Sequence, residues 1–308
     1  MHGIIRKLIH ACKLEYVFRP RQVWLRLTRR VGGTDQTVLL PWGLPLRIRL
    51  DNIIGQQIWA MGVFELPESE VLWRLADPGE LALDVGVNIG YMSSILAAQV
   101  GPSGTVLAFE PHPDVSAEAA ANIAHWAEFA VAPITLNRFA LSERPGRLPL
   151  FVPDSFDLNR GLSSLNAKGS GWRTVMVEVT TLDAAVGPTA VVGCLKIDVE
   201  GHEAEVLAGG TTTLGRRAVR DILFEDHNPY PSRVTAALEG YGYTVFRIDY
   251  SWWRPVAADP NSPRPAGRLF DTPNYLATLD PGRARERLAR RGWRCLTADR
   301  VAHRPAAP

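Results

Sequence analysis

Short apolar runs and segments of helical periodicity alternate along most of the chain. Segments whose apolar residues recur at helical spacing separate most of the first six runs, and an insertion separates the third run from the fourth. Strands that alternate with helices form mostly parallel sheets. The last two runs have no such segment between them, which predicts an antiparallel pair at one edge. The pattern predicts a doubly wound α/β fold with a seven-stranded, mostly parallel sheet. Its strands are LALDV (81–85), TVLAFE (105–110), PITLNRFAL (133–141), AVVGCLKID (190–198), VRDILFE (219–225), YTVFRID (243–249) and YLATL (275–279).

Three segments depart from this alternation. Residues 145–182 contain two strand-like runs around a loop rich in Gly and Ser, and such an insertion often covers a substrate. Residues 251–274 are rich in proline, which predicts a long loop. Residues 282–308 begin as an arginine-rich helix and end in a tail that we expect to be mobile.

The region before the first strand of the sheet has its own pattern. Two β-rich runs around Pro41-Trp42-Gly43 predict a hairpin, and residues 52–61 and 67–76 predict helices. We therefore expect an N-terminal helical and hairpin extension, a central domain and a C-terminal helix with a tail. Their predicted bounds are 1–78, 79–280 and 281–308.

Charge is concentrated at the N-terminus, where residues 1–33 hold eight basic residues against Glu15 alone. Apolar residues fall at helical spacing in the first half of this segment. One interpretation is an amphipathic helix that makes peripheral contact with an acidic membrane surface. The other is a helical lid packed on the catalytic domain with a solvated basic face. We favour the lid, because basic surface faces are common and the apolar stripe is short.

The composition is that of an ordinary globular protein. The 34 Lys and Arg residues nearly balance 32 Asp and Glu residues, which argues against a dedicated nucleic-acid-binding protein. The three cysteines form no CxxC pair, so neither a disulfide framework nor a zinc site is predicted. No run reaches the ~18–20 apolar residues that span a bilayer. Basic residues interrupt the apolar positions of the N-terminus, which is therefore not a signal peptide, and we expect a cytoplasmic enzyme.

A glycine-rich turn follows the first strand of the sheet. In the segment DVGVNIG, Gly86 and Gly90 allow the backbone to approach a nucleotide and to turn into a helix. The spacing matches neither the GxGxxG of dinucleotide enzymes nor a Walker loop. Asp84 begins the segment, and Glu110 ends the second strand 26 residues later. An acid at the end of that strand can accept both hydroxyls of a ribose, which favours a nucleotide-containing cofactor.

Further acidic residues end the fourth and fifth strands, at the edge where ligands of open α/β sheets bind. Asp198 and Glu200 follow the fourth strand, and either carboxylate can accept a proton from an attacking hydroxyl. The pair can instead hold Mg²⁺, or simply favour the N-terminus of the next helix. Lys196 is interpreted as the partner of a neighbouring acid. His227, after the fifth strand, is a candidate general base.

Together these segments resemble the FkbM-type methyltransferase family, from about Val63 to Leu279. The family usually has Ala where Val87 stands. The resemblance implies a class I, Rossmann-like fold and methyl transfer from S-adenosylmethionine, mostly to oxygen. The segments that carry it are LDVGVNIGY (83–91), FEPHP (109–113), NRFALS (137–142), GLSSL (161–165), TTLD (180–183), LKIDVEGHEAEVLAGG (195–210) and FE (224–225).

The resemblance also implies where the cofactor would bind. Glu110 would hold the ribose, and Ala140 and Leu141 would lie against the adenine. Glu65 would face the ammonium group, and Asp198 would lie beside the sulfonium and methyl. The amino-acid end of the cofactor would be surrounded by Asp84, Gly86, Asn88 and Gly90. Asp198, Glu200 and His227 are the candidate catalytic residues, and no dedicated metal site is assigned.

The acceptor is not specified by the sequence. Similar enzymes methylate hydroxyls of sugars, glycolipids and secondary metabolites, and Trp172, Trp252 and Trp253 lie in loops that could border an acceptor. The alternative function is a non-catalytic, cofactor-binding scaffold module. The acids at the strand ends argue against it. The absence of GxGxxG and the presence of the segment DVEG argue against a nicotinamide-dependent oxidoreductase.

Overall fold

The computed structural model describes residues 33–154, 156, 161–166, 172–264 and 272–302. The lid and membrane interpretations of residues 1–33 therefore fall almost wholly outside the described residues, as does the end of the C-terminal tail. None of the helices in these ranges combines the length and the apolar character needed to cross a membrane.

The central sheet has eight strands rather than the predicted seven. The additional strand lies at one edge, within the proline-rich segment that was expected to be a loop. In spatial order the strands are β12 (Pro255–Ala258), β11 (Thr244–Tyr250), β13 (Asn274–Thr278), β10 (Val219–Glu225), β9 (Val192–Ile197), β3 (Leu81–Val85), β4 (Thr105–Phe109) and β5 (Ile134–Asn137).

Most of this sheet is parallel, as the alternating pattern predicts. β10, β9, β3, β4 and β5 pair in parallel, whereas β13 is antiparallel to both β10 and β11. The predicted antiparallel pair near one edge is therefore confirmed. Beyond this pair, β12 runs antiparallel to β11 and forms the edge. Pro255 begins β12, a position that proline tolerates because an edge strand needs fewer ladder hydrogen bonds.

Helices cover both faces of the sheet, which makes the fold doubly wound. On β9, Cys194 belongs to one hydrophobic cluster, whereas Leu195 and Ile197 belong to another. Successive strand residues face opposite sides, so the two clusters lie on opposite faces. The described helices are α1 (Ile53–Met61), α2 (Leu66–Leu75), α3 (Tyr91–Val100), α4 (Pro113–Trp126), α5 (Leu182–Val186), α6 (Glu203–Ala208), α7 (Thr211–Gly215), α8 (Arg233–Gly240) and α9 (Pro281–Ala289).

Two smaller sheets flank the central one. The predicted hairpin consists of β1 (Asp35–Leu39) and β2 (Pro45–Arg49), and its inward residues join the core that contains α2 and α3. The insertion forms a three-stranded sheet with its own hydrophobic cluster. Its strands are β6 (Ala140–Leu141), β7 (Gly146–Val152) and β8 (Arg173–Thr180), so the predicted third strand of the core is divided between β5 and β6.

Candidate cofactor and active site

The carboxyl ends of the parallel strands form the edge that carries the candidate site. From β3 the chain proceeds to β4 and β5 on one side, and it later returns to β9 and β10 on the other. This reversal of strand order creates a crevice between β3 and β9, where α/β sheets bind ligands. Asp84 lies on β3, and Asp198 directly follows β9.

The glycine-rich turn is packed against the turn that follows β9. Gly86 has a φ of +86°, and a Cβ at this position would lie 1.8 Å from the backbone oxygen of Asp198. At Gly90, which has a φ of +93°, an added Cβ would lie 3.1 Å from the ring of Trp126. Gly86 therefore allows the glycine-rich turn to meet the turn after β9. This packing requires glycine in addition to the close approach to a nucleotide that the sequence predicts.

Asp84 is a buried carboxylate with one oxygen that the protein does not saturate. The residue is 0% exposed, and Oδ2 accepts a hydrogen bond of 2.6 Å from Ser93 Oγ. Within the described ranges, Oδ1 accepts no hydrogen bond. Burial raises the pKa of Asp84, and nearby Asp198 raises it further, whereas Lys196 and Ser93 act to lower it. A buried oxygen of this kind is suited to a ligand donor or an ordered water.

Glu110 connects the glycine-rich turn to the start of α4. Its two oxygens accept backbone hydrogen bonds of 3.0 Å each, one from Asn88 and the other from His112. Burial raises the pKa of Glu110 to about 7, although these backbone hydrogen bonds act to lower it. The carboxylate is thereby fixed beside the turn, as a ribose-binding acid requires.

Lys196 provides a buried positive charge among the acids. Its Nζ lies 3.0 Å from Asp198 Oδ2, which confirms its interpretation as the partner of a neighbouring acid. Although burial acts to lower the pKa of Lys196, the carboxylates of Asp198, Asp84 and Glu65 raise it. Lys196 and Asp198 are two residues apart, and the alternation of a strand brings such residues to one side.

Glu65 reaches the same region from outside the sheet. It precedes α2 in a left-handed conformation, with a φ of 45°. Burial, Glu68 and Asp198 raise the pKa of Glu65 well above its ordinary value, whereas Lys196 acts to lower it. The structure thus brings the upstream acid into electrostatic contact with the acids at the strand ends.

Asp198, Glu200 and Glu225 form a group of three acids, here called the carboxylate cluster. One carboxylate oxygen from each lies within 4.8 Å of the others. Burial raises the pKa of Glu225 to about 8, with further contributions from Asp198 and Glu200. The sequence patterns do not select Glu225 as a site residue, although its position at the end of β10 is the same signal that selects Asp198.

His227 lies beside this cluster, as its position after β10 suggests. Its Nε2 is 3.9 Å from Glu200 Oε2 and 3.8 Å from Glu225 Oε2. The imidazole is 42% exposed, so it remains accessible to an acceptor. The three candidate catalytic residues are therefore brought together at one edge, with Glu225 as a fourth member.

The insertion contacts the turn that carries Glu200. Ser164 Oγ donates to the backbone oxygen of Glu200 at 2.8 Å, and Asn166 Nδ2 donates to that of Gly201 at 2.6 Å. Glu203 closes the turn, because its Oε1 accepts from the backbone nitrogens of Val199 and Gly201 at 3.2 and 3.1 Å. The insertion therefore borders the carboxylate cluster, as expected of a segment that covers a substrate.

Ala140 lies on β6, between the central sheet and the insertion. It is buried, at 7% exposed, in the cluster that contains Val115 of α4 and Leu150 of β7. Val115 follows Glu110 by five residues, so Ala140 is placed beside the helix that begins after the ribose-binding candidate. Its contact with adenine stays a prediction.

Strand order and site together define the class of protein. Counted across the sheet from the β5 edge, seven neighbouring strands follow in the order β5, β4, β3, β9, β10, β13 and β11. This order, with β13 inserted between β10 and β11, is that of a class I, Rossmann-like methyltransferase fold. The glycine-rich turn and the acid after the second strand lie where such a fold binds a nucleotide-containing cofactor.

The chain belongs to the FkbM methyltransferase family. The family model, described as the methyltransferase FkbM domain, matches residues 84–245. The match includes the glycine-rich turn, Glu110 and the carboxylate cluster. The expected methyltransferase, of the S-adenosylmethionine-dependent class, is thereby confirmed.

Two characterised relatives align with more than half of the chain. The 31-O-demethyl-FK506 methyltransferase FkbM of Streptomyces tacrolimicus is 32% identical over an alignment of 200 residues, and the match covers 54% of this chain and 74% of the relative. The hexuronic acid methyltransferase AglP of Haloferax volcanii is 30% identical over 182 residues, which are 58% of this chain and 65% of the relative.

Solved structures are similar only at a distance. A SAM-dependent O-methyltransferase from Thermotoga maritima covers 80% of this chain and 85% of its own, with a TM-score of 0.43 and 15% identity. Fibrillarin from Aeropyrum pernix, solved with S-adenosyl-L-methionine, covers 70% of each chain with a TM-score of 0.37 and 16% identity.

Proposed function

We propose that this protein transfers a methyl group from S-adenosylmethionine to a hydroxyl oxygen of a sugar-containing or secondary-metabolite acceptor. The observation that carries the proposal is the placement of His227, Glu200 and Glu225 at the edge where the cofactor crevice opens. A hydroxyl acceptor loses a proton when it is methylated, and this group can accept one. One relative is named for a demethylated oxygen position and the other for a hexuronic acid, which supports this class of acceptor.

The cofactor assignment follows the order of elements along the crevice. Glu110 would hold the ribose, and Ala140 would border the adenine. Glu65 and Asp198 would face the two cationic groups of the cofactor, the ammonium and the sulfonium. Asp84, Gly86, Asn88 and Gly90 would surround its amino-acid end. The acidic residues of the site outnumber the basic residue beside them, Lys196, and this excess of negative charge suits a ligand that carries two positive groups.

Methyl transfer is an in-line displacement. S-adenosylmethionine, when bound, would supply its methyl group to the acceptor oxygen, and the electron pair of the broken carbon–sulfur bond would remain on the leaving sulfur. The hydroxyl proton passes to His227 Nε2, which the carboxylates of Glu200 and Glu225 orient and stabilise in its charged form. Placement of the acceptor opposite the sulfur supplies much of the rate.

A magnesium ion is the alternative means of activating the hydroxyl. Three carboxylate oxygens within 4.8 Å match the oxygen ligands that Mg²⁺ prefers. A cation held by Asp198, Glu200 and Glu225 would lower the pKa of a bound hydroxyl directly. Activity measured after treatment with EDTA distinguishes the two: the His227 route retains activity, whereas the metal route loses it and regains it on addition of Mg²⁺.

Cofactor binding is expected to depend on the buried Asp84 carboxylate. Calorimetry should give micromolar binding of S-adenosylmethionine to the wild type, and Asp84→Asn should weaken it by about 10- to 100-fold, because a charged hydrogen bond is worth about 1.5–3 kcal/mol. Asp114→Asn, at an exposed acid of α4, is the matched control and should bind normally. Absence of binding to the wild type would contradict the cofactor assignment, whereas binding without any methyl transfer would support the cofactor-binding scaffold.

Cofactor affinity is also expected to decline as the pH falls below about 7. Glu110 has a pKa of about 7 in the folded protein, so acidification neutralises the carboxylate that would accept the ribose hydroxyls. Between pH 8 and pH 6 we expect roughly a 10-fold loss of affinity, in line with one titrating group. Glu110→Gln should bind weakly at both values and should show little change between them.

The folding free energy should respond to pH in the opposite direction. Because the pKa of Glu110 is raised from 4.5, ionisation of the folded protein is unfavourable, and stability from this group declines as the pH rises from about 4.5 through about 7. Urea unfolding without cofactor would measure this decline.

For the affinity prediction, a pH dependence of cofactor binding in Glu110→Gln as steep as that of the wild type would assign the titration to another acid.

We further propose the division into an extension over 1–78, a methyltransferase domain over 79–280 and a C-terminal helix and tail over 281–308. The family match at 84–245 lies within the central range. A cytoplasmic location, the absence of a nucleic-acid partner and a membrane contact through the N-terminus stay predictions.

A further inference from the structure

Two adjacent tryptophans are exposed where β11 turns into β12. Trp252 and Trp253 are 59% and 60% exposed, the only neighbouring pair among the large exposed apolar residues of the described ranges. Single exposed apolar residues are common on protein surfaces, whereas adjacent large ones indicate a contact surface. Indole rings have an apolar body and a polar nitrogen, which suits the boundary between water and lipid.

The turn is held against an arginine-rich segment. Trp293 Nε1 donates to the backbone oxygen of Trp252 at 3.1 Å, and the Gly292 nitrogen donates to that of Trp253 at 2.8 Å. Arg291 and Arg294 flank these two residues and are exposed. Trp252, Trp253, Arg291 and Arg294 are here called the Trp–Arg surface.

The chain segment that supplies Arg291 and Arg294 is rich in basic residues. Residues 281–302 contain seven arginines, and their only acids are Glu286 and Asp299. Three of the arginines form ion pairs. Arg290 pairs with Glu286 at 2.9 Å, Arg287 with Asp77 at 2.5 Å, and Arg283 with Asp77 and Asp221 at 2.6 and 2.8 Å. A glycan is bound largely by side chains that accept hydrogen bonds from its hydroxyls, and such side chains are scarce in this segment. The surface is therefore suited to an anionic ligand rather than to a glycan.

The Trp–Arg surface lies on the same edge of the sheet as the candidate active site. β11 runs in the direction of β10, since both are antiparallel to β13. Tyr275 of β13 pairs with Phe224 on one side and with Arg247 on the other, so the end of β11 extends beyond the level of Phe224. Trp293 also packs with Leu66, the neighbour of Glu65.

We infer that the Trp–Arg surface binds the surface of a bilayer that contains anionic lipids. The arginines attract the lipid phosphates, and the two indoles enter the interface between headgroups and acyl chains. This contact would orient the crevice towards the bilayer. The inference does not depend on the proposed function, because lipid binding is measured without methyl transfer.

Co-sedimentation of the full chain with vesicles tests the inference. We expect binding to vesicles of phosphatidylcholine with phosphatidylglycerol, little binding to phosphatidylcholine alone, and a marked loss in 0.5 M salt. Arg291→Gln/Arg294→Gln should lower the partition coefficient roughly 30-fold, the effect of two cations near an anionic surface. Trp252→Ser/Trp253→Ser should lower it about 10-fold or more, because the inserted apolar area is lost.

The matched control changes the same kinds of residue at the opposite edge. Val191 is 70% exposed before β9, and Arg217 is exposed before β10, so Val191→Ser/Arg217→Gln should bind vesicles as the wild type does. Vesicles with brominated acyl chains should quench tryptophan fluorescence in the wild type and much less in Trp252→Phe/Trp253→Phe.

Two results would overturn the inference. Binding at the wild-type level by both Trp–Arg double variants would assign any lipid contact to another part of the chain. Failure of the wild type to bind anionic vesicles, with a raised KM for a water-soluble acceptor in the tryptophan variant, would make the turn part of the acceptor site.

Discussion

His227→Ala is expected to lower kcat by about 10²- to 10⁴-fold, with little change in the affinity for S-adenosylmethionine. A positioned general base contributes a factor of this size, and the imidazole lies outside the group of residues proposed to hold the cofactor. Steady-state kinetics and calorimetry on the same preparation would measure the two effects. His125→Ala, at an exposed histidine of α4, is the matched control and should retain normal turnover.

The two neighbouring glutamates distinguish a positioning role from a catalytic one. If Glu200 and Glu225 stabilise the charged imidazole, Glu200→Gln and Glu225→Gln should each lower kcat while leaving the affinity for S-adenosylmethionine unchanged. If the acids hold Mg²⁺ instead, each variant should raise the metal concentration needed for half-maximal activity. Near-normal turnover in Asp198→Asn, Glu200→Gln and His227→Ala together would contradict the catalytic assignment.

Much of the sheet could be predicted because buried parallel strands have a simple sequence pattern. A strand covered on both faces, such as β9, is a nearly continuous apolar run. β12 has no such run: its sequence is PVAA, and three of its four residues are only partly buried at the sheet edge. An edge strand of this composition is not distinguishable from loop, so the eighth strand was found only in the structure.

The site could be predicted to the level of the sheet edge but not to the level of contacts. Residues at the carboxyl ends of parallel strands must share one edge of the sheet, which places Asp84, Asp198 and His227 together. The distances between side chains depend on turns, such as the left-handed conformation of Glu200 at a φ of 54°. The approach of Gly86 to Asp198 joins residues over a hundred positions apart, and no local pattern contains it.

Arg74→Met is expected to lower the free energy of unfolding by about 3–5 kcal/mol. The side chains of Arg74 and Glu70 are 2% and 0% exposed, and they form an ion pair of 2.5 Å on α2. Removal of one member of a buried pair leaves the other charge without compensation. Arg74 also donates to the backbone oxygens of Arg287 and Arg290, at 2.8 and 2.6 Å, and to that of Gly292. Urea unfolding would measure the loss.

Two further variants separate the buried charge from the other contacts of Arg74. Arg49→Met removes an ion pair with Asp51 in which both side chains are about a third exposed, and it should cost at most about 1 kcal/mol. Glu70→Gln/Arg74→Met removes both buried charges and should be more stable than Arg74→Met. Equal stability of these two variants would show that the contacts of Arg74 with backbone oxygens, rather than the charge of Glu70, dominate.

Arg74→Met should also affect the candidate site, because the Arg74–Glu70 pair connects the C-terminal segment to α2. Glu70 accepts backbone hydrogen bonds of 2.8 Å from Arg294 and Cys295, and the opposite end of α2 begins beside Glu65. Loosening of this segment should therefore weaken cofactor binding under conditions in which Arg74→Met is still folded. Normal affinity in the folded variant would show that Glu65 is positioned without the C-terminal segment.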